Sequence, residues 1–238
     1  MKQPTSVQNG NGEAPLLETR GKEGQRTEIP FTNPATGEQF GSVPEATAQE
    51  IASARKEMTA AAAIWSAKPV EERVRILRKL QEVFIDSLDE MTAVINKDHG
   101  KSRHEAMIEL FMALDKLHLY YEKAPEWLGH QEVPRGLTFL LSLSRQYHTE
   151  PMPYGVVAVI GPWNYPFDLV VPAVCSALLA GNTVLVKPSE VGAATGVMIE
   201  NLFKRVPELS PFIRFLHGGS GVGASLVQSQ PDLIFLTG

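Results

Sequence analysis

The sequence predicts an α/β fold, with helices first and an open parallel sheet after them. Three observations carry this. From Pro153 onward, β-forming and helical runs alternate: "YGVVAVIG", "FDLVVPAVCSALLAG", "TVLVKPS", "VGAATGVMIENLFKRV", "FIRFLHGG", "GVGASLVQSQ" and "DLIFLTG". Such alternation with short connections implies parallel strands joined by crossover helices. Upstream, apolar residues recur at helical spacing over three segments. Between the two regions, "LTFLLSLSRQYHTE" mixes β-formers with alternation and is bounded by prolines, so it reads as extended strands.

Residues 1–26 are polar and rich in Gly, Glu, Gln and Thr. They bury too little apolar surface to offset ordering, so a disordered tail is expected. Residues 27–132 follow as N-terminal strands and helices. "IPFTNPATGEQFGSVP" reads as two short edge strands joined by a turn at Asn33-Pro34 and Thr36-Gly37. The first helix opens with Thr47 and Glu50, a capping box, ahead of an Ala-rich body. The second starts at Pro69, carries Val74, Leu77, Leu80, Phe84, Leu88 and Met91 on one stripe, and stops near Gly100. The third carries Met107, Leu110, Leu114, Leu117 and Tyr121. All three are read as scaffold.

Residues 133–150 fall outside that pattern. They read as an arm that pairs with another subunit, or as an ordinary hairpin. Residues 151–238 read as a parallel sheet, a type that holds ligands at the carboxyl ends of its strands. Asn164, Lys187 with Glu190, Gly219 to Gly223, and Gly238 all fall at such ends.

Composition sets bounds. The 238 residues are 43% hydrophobic and 21% charged, enough for a sizeable core. A net charge of −5 argues against a nucleic-acid surface and gives no pull toward an anionic membrane. The one cysteine, Cys175, forbids an intrachain disulfide and fits a reducing compartment. The N-terminus lacks a secretory h-region, and the longest apolar stretch is too short to span a bilayer. A cytoplasmic protein is expected.

Candidate chemistry sits at the strand ends. Lys187 and Glu190 in "KPSE" suit a ribose, the carboxylate accepting from sugar hydroxyls and the ammonium donating to them; an exposed ion pair is the alternative. Gly219 and Gly223, ahead of a helix, let a cofactor approach the backbone. The dinucleotide fingerprint G-x-G-x-x-G is not in its usual first β-α turn, and no Walker motif occurs. Cys175 lies mid-helix among apolar residues and reads as packing. The six histidines lack metal-ligand spacing, so no metal site is expected.

Taken together, "GVVAVIGPWNYP", "ALLAGNTVLVKPSE" and "DLIFLTG", in that order and at these distances, resemble the NAD(P)-dependent aldehyde dehydrogenase superfamily. Agreement extends upstream to "FTNPATGEQFGSVP", "EERVRILRKL" and "DHGKSRHEA", covering about residues 28–238. The resemblance implies the N-terminal, cofactor-binding portion of such an enzyme, with a Rossmann-like sheet and a protruding oligomerisation arm. Asn164 matches the asparagine whose side-chain amide stabilises the substrate oxyanion. Ile160, Gly161, Pro162 and Trp163 would line the nicotinamide, and Lys187, Ser189 and Glu190 the adenosine ribose. Gly219 and Gly223 would make room for the adenine, and Gly238 would lie near the pyrophosphate. Glu190 favours NAD over NADP, since it accepts from a free 2′-hydroxyl and repels a 2′-phosphate. Phe167, Asp168 and Leu169 are expected at the substrate mouth.

Family members continue past "FTG" to a catalytic glutamate and a nucleophilic cysteine, and neither motif occurs here. The expectation is oxidation of an aldehyde to a carboxylic acid through a cysteine thiohemiacetal, by a homo-oligomer when full length. The chain as given is expected to be a fragment, inactive alone. The alternative is an inactive nucleotide-binding or interaction remnant.

Overall fold

A computed structural model of the chain describes residues 26–132 and 148–238. Its centre is a four-stranded parallel sheet of β5 (Val156–Ile160), β6 (Thr183–Lys187), β7 (Ile213–Phe215) and β8 (Leu233–Leu236), in the order β7-β6-β5-β8. Three crossover helices connect these strands: α5 (Val171–Leu179), α6 (Ala193–Lys204) and α7 (Ser220–Gln228). A 3-10 turn at Pro207–Phe212 leads into β7. The expected α/β class and parallel sheet are therefore present.

Helices cover both faces of the sheet, which explains why its strands are continuously apolar rather than alternating. Successive side chains still point to opposite sides. Val157, Val159, Val184 and Val186 join the larger core with α2, α4, α5 and α6, where α2 is Val70–Asp86 and α4 is Arg103–Trp127. Val156, Ala158 and Leu185 join a smaller core with α7 and α1 (Ala48–Ser66). Strand β8 differs from its neighbours: Leu233, Ile234, Phe235 and Leu236 are all exposed on the open edge.

The N-terminal strands β1 (Glu28–Thr32) and β2 (Gln39–Pro44) pair antiparallel, in a two-stranded sheet of their own rather than on an edge of the main one. Phe31 and Val43 anchor this ribbon to Ala193, Ala194 and Val197 of α6. Of the predicted tail, residues 1–25 lie outside the described residues. Arg26 is held by Glu50 at 2.9 Å.

Helix α1 has the expected capping box: Glu50 N–H donates to Thr47 Oγ1 at 3.2 Å, and Thr47 N–H to Glu50 Oε2 at 2.8 Å. The second predicted helix is in fact two, α2 and α3 (Leu88–His99), parted at Ser87. The break contains neither Gly nor Pro, and Met91 N–H still bonds Ser87 O, so the apolar stripe stays in phase across it. A tertiary tie marks the spot instead: Arg205 donates to Ser87 Oγ at 3.0 Å. Helix α4 opens with a second capping box, Ser102 with Glu105. Helix α5 begins at Val171 rather than Phe167; Pro172 fits its first turn, and residues 161–170 form turns.

Of the predicted arm at 133–150, residues 133–147 lie outside the described residues; β4 (His148–Thr149) pairs antiparallel with β3 (Gln131–Glu132), which precedes the predicted start of the arm. No helix among the described residues is long and apolar enough to cross a membrane.

Candidate active-site and cofactor edge

The carboxyl ends of the strands line up. Ile160 pairs with Lys187 on one side and with Leu236 on the other. Beyond the strands, Gly161 N–H donates to Lys187 O at 3.0 Å, Leu216 N–H to Val186 O at 2.8 Å, and Thr237 N–H to Ile160 O at 3.1 Å. The parallel register thus sets Ile160, Gly161, Lys187 and the chain just before Gly238 along one edge.

Lys187 is buried along its stem, with 5% of its side chain exposed, against 41% for Glu190. Its Nζ donates to Pro188 O and to Glu190 Oε2, each at 3.1 Å. Partial burial works against the Glu190 carboxylate, but its own backbone N–H and the Lys187 ammonium outweigh that, leaving its pKa below the ordinary value. The Glu190 carboxylate is therefore charged at neutral pH and reaches solvent. Ser189 is committed locally: its Oγ accepts from Val191 N–H at 3.2 Å.

Gly223 packs on the Lys187 stem; a Cβ there would lie 3.5 Å from both Lys187 Cδ and Cε. Gly219 caps α7, and its N–H donates to Glu45 Oε1 at 2.8 Å. A Cβ at Gly219 would also approach Glu190 Oε1 at 4.0 Å. Two carboxylates, Glu45 and Glu190, therefore flank Gly219. Glu45 was missed from sequence because it follows β2, far from any strand-end motif.

The turn after β5 holds Asn164. Pro162 is buried, whereas Trp163, Asn164 and Tyr165 are exposed. Asn164 Oδ1 accepts from Tyr165 N–H at 3.1 Å, which fixes the side-chain carbonyl and leaves the amide NH2 without a partner among the described residues. An amide so oriented is a ready hydrogen-bond donor.

Beneath this turn lies an arrangement that sequence reasoning missed. Glu109 of α4 is fully buried. Its Oε1 accepts from Phe167 N–H at 2.9 Å and from Asp168 N–H at 3.3 Å, and its Oε2 pairs with Lys101. The Lys101 ammonium also sits 4.4 Å from the Tyr165 ring centre. Asp168 in turn accepts from Lys116 at 2.8 Å. The signal in the sequence was a charge inside an apolar stripe, since Glu109 follows Ala106 by three and precedes Ala113 by four. Phe167 is buried edge-on against Phe84 with ring centres 5.2 Å apart, and Asp168 is buried, so neither faces a substrate mouth. Gly161 permits the turn's close return: a Cβ would fall 2.1 Å from Val170 Cγ2.

Cys175 is fully buried, and burial pushes its thiol up to about 12, so it is inert as a nucleophile at neutral pH. The buried Glu200 carboxylate sits 2.7 Å from His217 Nε2 and 3.0 Å from Lys204, away from Asn164 on α6. The exposed His130, His148 and Glu150 cluster at the base of the β3–β4 ribbon, a grouping that sequence spacing did not reveal.

Comparison with known proteins shows the family and the fold. The sequence model described as "Aldehyde dehydrogenase family" matches residues 21–238. The chain is 37% identical over 214 residues to a 4,4'-diapolycopene aldehyde oxidase of Methylomonas sp, covering 89% of this chain and 40% of that protein. It is 32% identical to a D-glyceraldehyde dehydrogenase (NADP(+)) of Picrophilus torridus, covering 87% and 41%. Among solved structures, HpcC from Thermus thermophilus superposes with a TM-score of 0.79 at 26% identity, covering 88% of this chain and 40% of that one. The chain thus spans about two fifths of the length of these relatives.

Proposed function

The chain belongs to the aldehyde dehydrogenase family, and from that premise we propose that it supplies the cofactor cradle and oxyanion donor for NAD(P)-dependent oxidation of an aldehyde to a carboxylic acid. The observation that carries this reading is the exposed Asn164 side chain: its carbonyl is tied to Tyr165 N–H, and its NH2 has no partner among the described residues.

When a thiolate adds to an aldehyde, the carbonyl oxygen gains negative charge. A fixed amide donor there is worth about 3 to 4 kcal/mol, because its orientation is set before the charge appears. Gly161, Pro162 and the Glu109 anchor hold the Asn164 turn in place. The ribose assignment rests on Lys187 and Glu190, an ammonium and a carboxylate 3.1 Å apart that together offer a donor and an acceptor to a vicinal diol. When bound, the dinucleotide accepts the hydride. Ile160 to Trp163 would line its nicotinamide end, Gly219 and Gly223 its adenine, and Gly238 its pyrophosphate. Glu190, reinforced by Glu45, favours NAD over NADP by repelling a 2′-phosphate.

An apolar aldehyde fits best. Trp163 and Tyr165 expose aromatic surface beside Asn164, and α4 exposes Ile108, Phe111 and Met112. The name of the Methylomonas relative specifies a 4,4'-diapolycopene aldehyde. The nucleophile must come from residues other than these 238, since Cys175 is the one cysteine and is buried. The chain alone is therefore expected to produce no NADH from aldehyde and NAD, and activity belongs to a larger protein, read as a cytoplasmic homo-oligomer.

Reading the source DNA past codon 238 tests this. The proposal expects the frame to supply a glutamate and then a cysteine motif. In the enzyme so encoded, Asn164→Ala should lower kcat by roughly 100- to 1000-fold. An unchanged kcat would overturn the role of Asn164.

A further inference from the structure

The base of the β3–β4 ribbon holds a cluster that the cofactor edge does not use. Glu132 pairs with His148 and Gln131 with Thr149. One more step of that register sets His130 opposite Glu150. Residues two apart on a strand share a face, and directly opposed residues project to the same side. His130, His148 and Glu150 therefore converge: one ligating atom from each lies within 4.8 Å of the other two. The two imidazole rings stand edge to face, with centres 5.1 Å apart at 88°. All three residues are exposed, and none of their side chains has a hydrogen bond or ion pair with another described residue.

We propose that His130, His148 and Glu150 form a site for a divalent transition-metal ion of the zinc class, which clips together the two strands at the root of the ribbon. Two imidazoles and one carboxylate suit Zn²⁺ or Co²⁺ rather than Mg²⁺ or Ca²⁺, which take all-oxygen shells. A tetrahedral ion with bonds of about 2.0 to 2.1 Å needs its ligand atoms about 3.3 Å apart. Reaching that from the observed spread requires each exposed side chain to shift by roughly 1 Å or less, within ordinary torsional freedom. Water completes the coordination. The gain is structural. A two-stranded ribbon standing by itself is marginal without a further tie.

The other histidines offer no equivalent. His99 and His217 are engaged with Thr195 and Glu200. His104 and His118 are exposed on α4, about four turns apart, too far to share one ion.

The test uses the untagged 238-residue chain. Zn²⁺ binding is followed by calorimetry, and Co²⁺ binding by its visible spectrum. The proposal predicts one saturable equivalent, weakened at least about tenfold by His130→Ala and by His148→Ala. The double variant His104→Ala/His118→Ala should leave it unchanged. Because all four positions are exposed, far-UV circular dichroism should be the same in every variant. Absence of saturable binding would overturn the site. So would binding unaffected by His130→Ala and His148→Ala.

Discussion

Removing the Glu109 carboxylate should loosen the Asn164 turn and cost more than any surface substitution. Glu109 is fully buried and accepts from two buried backbone N–H groups and from Lys101. Glu109→Leu strands all three donors. Each buried N–H left without an acceptor costs about 1 to 3 kcal/mol. Breaking a buried charged pair by removing one partner costs about 3 to 5 kcal/mol in total. Lys101 keeps 19% of its side chain exposed and regains some hydration, so the lower half of that range applies. Glu109→Gln keeps an oxygen for Phe167 and Asp168 and loses only the charge facing Lys101, so about 1 to 2 kcal/mol is expected. Urea unfolding measures both, provided the m value is constant. The fluorescence of exposed Trp163 should report the loosened turn in Glu109→Leu. A Glu109→Leu protein within about 0.5 kcal/mol of the parent, the size of an ordinary surface substitution, would refute the anchoring role.

Three further outcomes are expected. Burial opposes the charge on Glu200, but His217 and Lys204 outweigh it and hold its pKa down at about 2. A lowered folded pKa gives stability that is present above the unfolded value near 4.5 and lost as pH falls toward 2. Glu200→Gln should therefore cost up to about 3 kcal/mol at pH 7. The gap to the parent should narrow below about pH 4.5, and a pH-independent gap would contradict the pairing. Glu190→Gln removes one of the two carboxylates beside Gly219 and should move the NADP-to-NAD affinity ratio by about fivefold toward NADP, since one charge at close range in water is worth about 1 kcal/mol; an unchanged ratio speaks against the ribose assignment. Gly161→Ala drives a Cβ into Val170, and overpacking of that kind costs about 1 to 3 kcal/mol, read as a lower melting temperature.

Local chemistry was readable from the sequence, and distant chemistry was not. The strand-helix rhythm after Pro153 announced the parallel sheet, because buried parallel strands need unbroken apolar runs. The Thr47–Glu50 cap was equally legible, since both partners lie within one turn. Ser87 was not: the apolar stripe continues in phase across the break, and the Arg205 that bonds Ser87 lies far along the chain. Asn164, Lys187 and Glu190 were singled out as candidates through strand-end position and family resemblance. Glu109 and Glu45 escaped because each acts on a backbone N–H that only the fold brings near. The grouping of His130, His148 and Glu150 likewise depends on cross-strand register rather than spacing.

The measurement that bears most directly on the central claim is a titration of the 15N-labelled chain with NAD, followed by NMR. The account predicts saturable shifts at Ile160, Gly161, Lys187, Glu190, Gly219 and Gly223, abolished by Lys187→Ala. Shifts confined to other parts of the molecule, or none at saturating NAD, would contradict it.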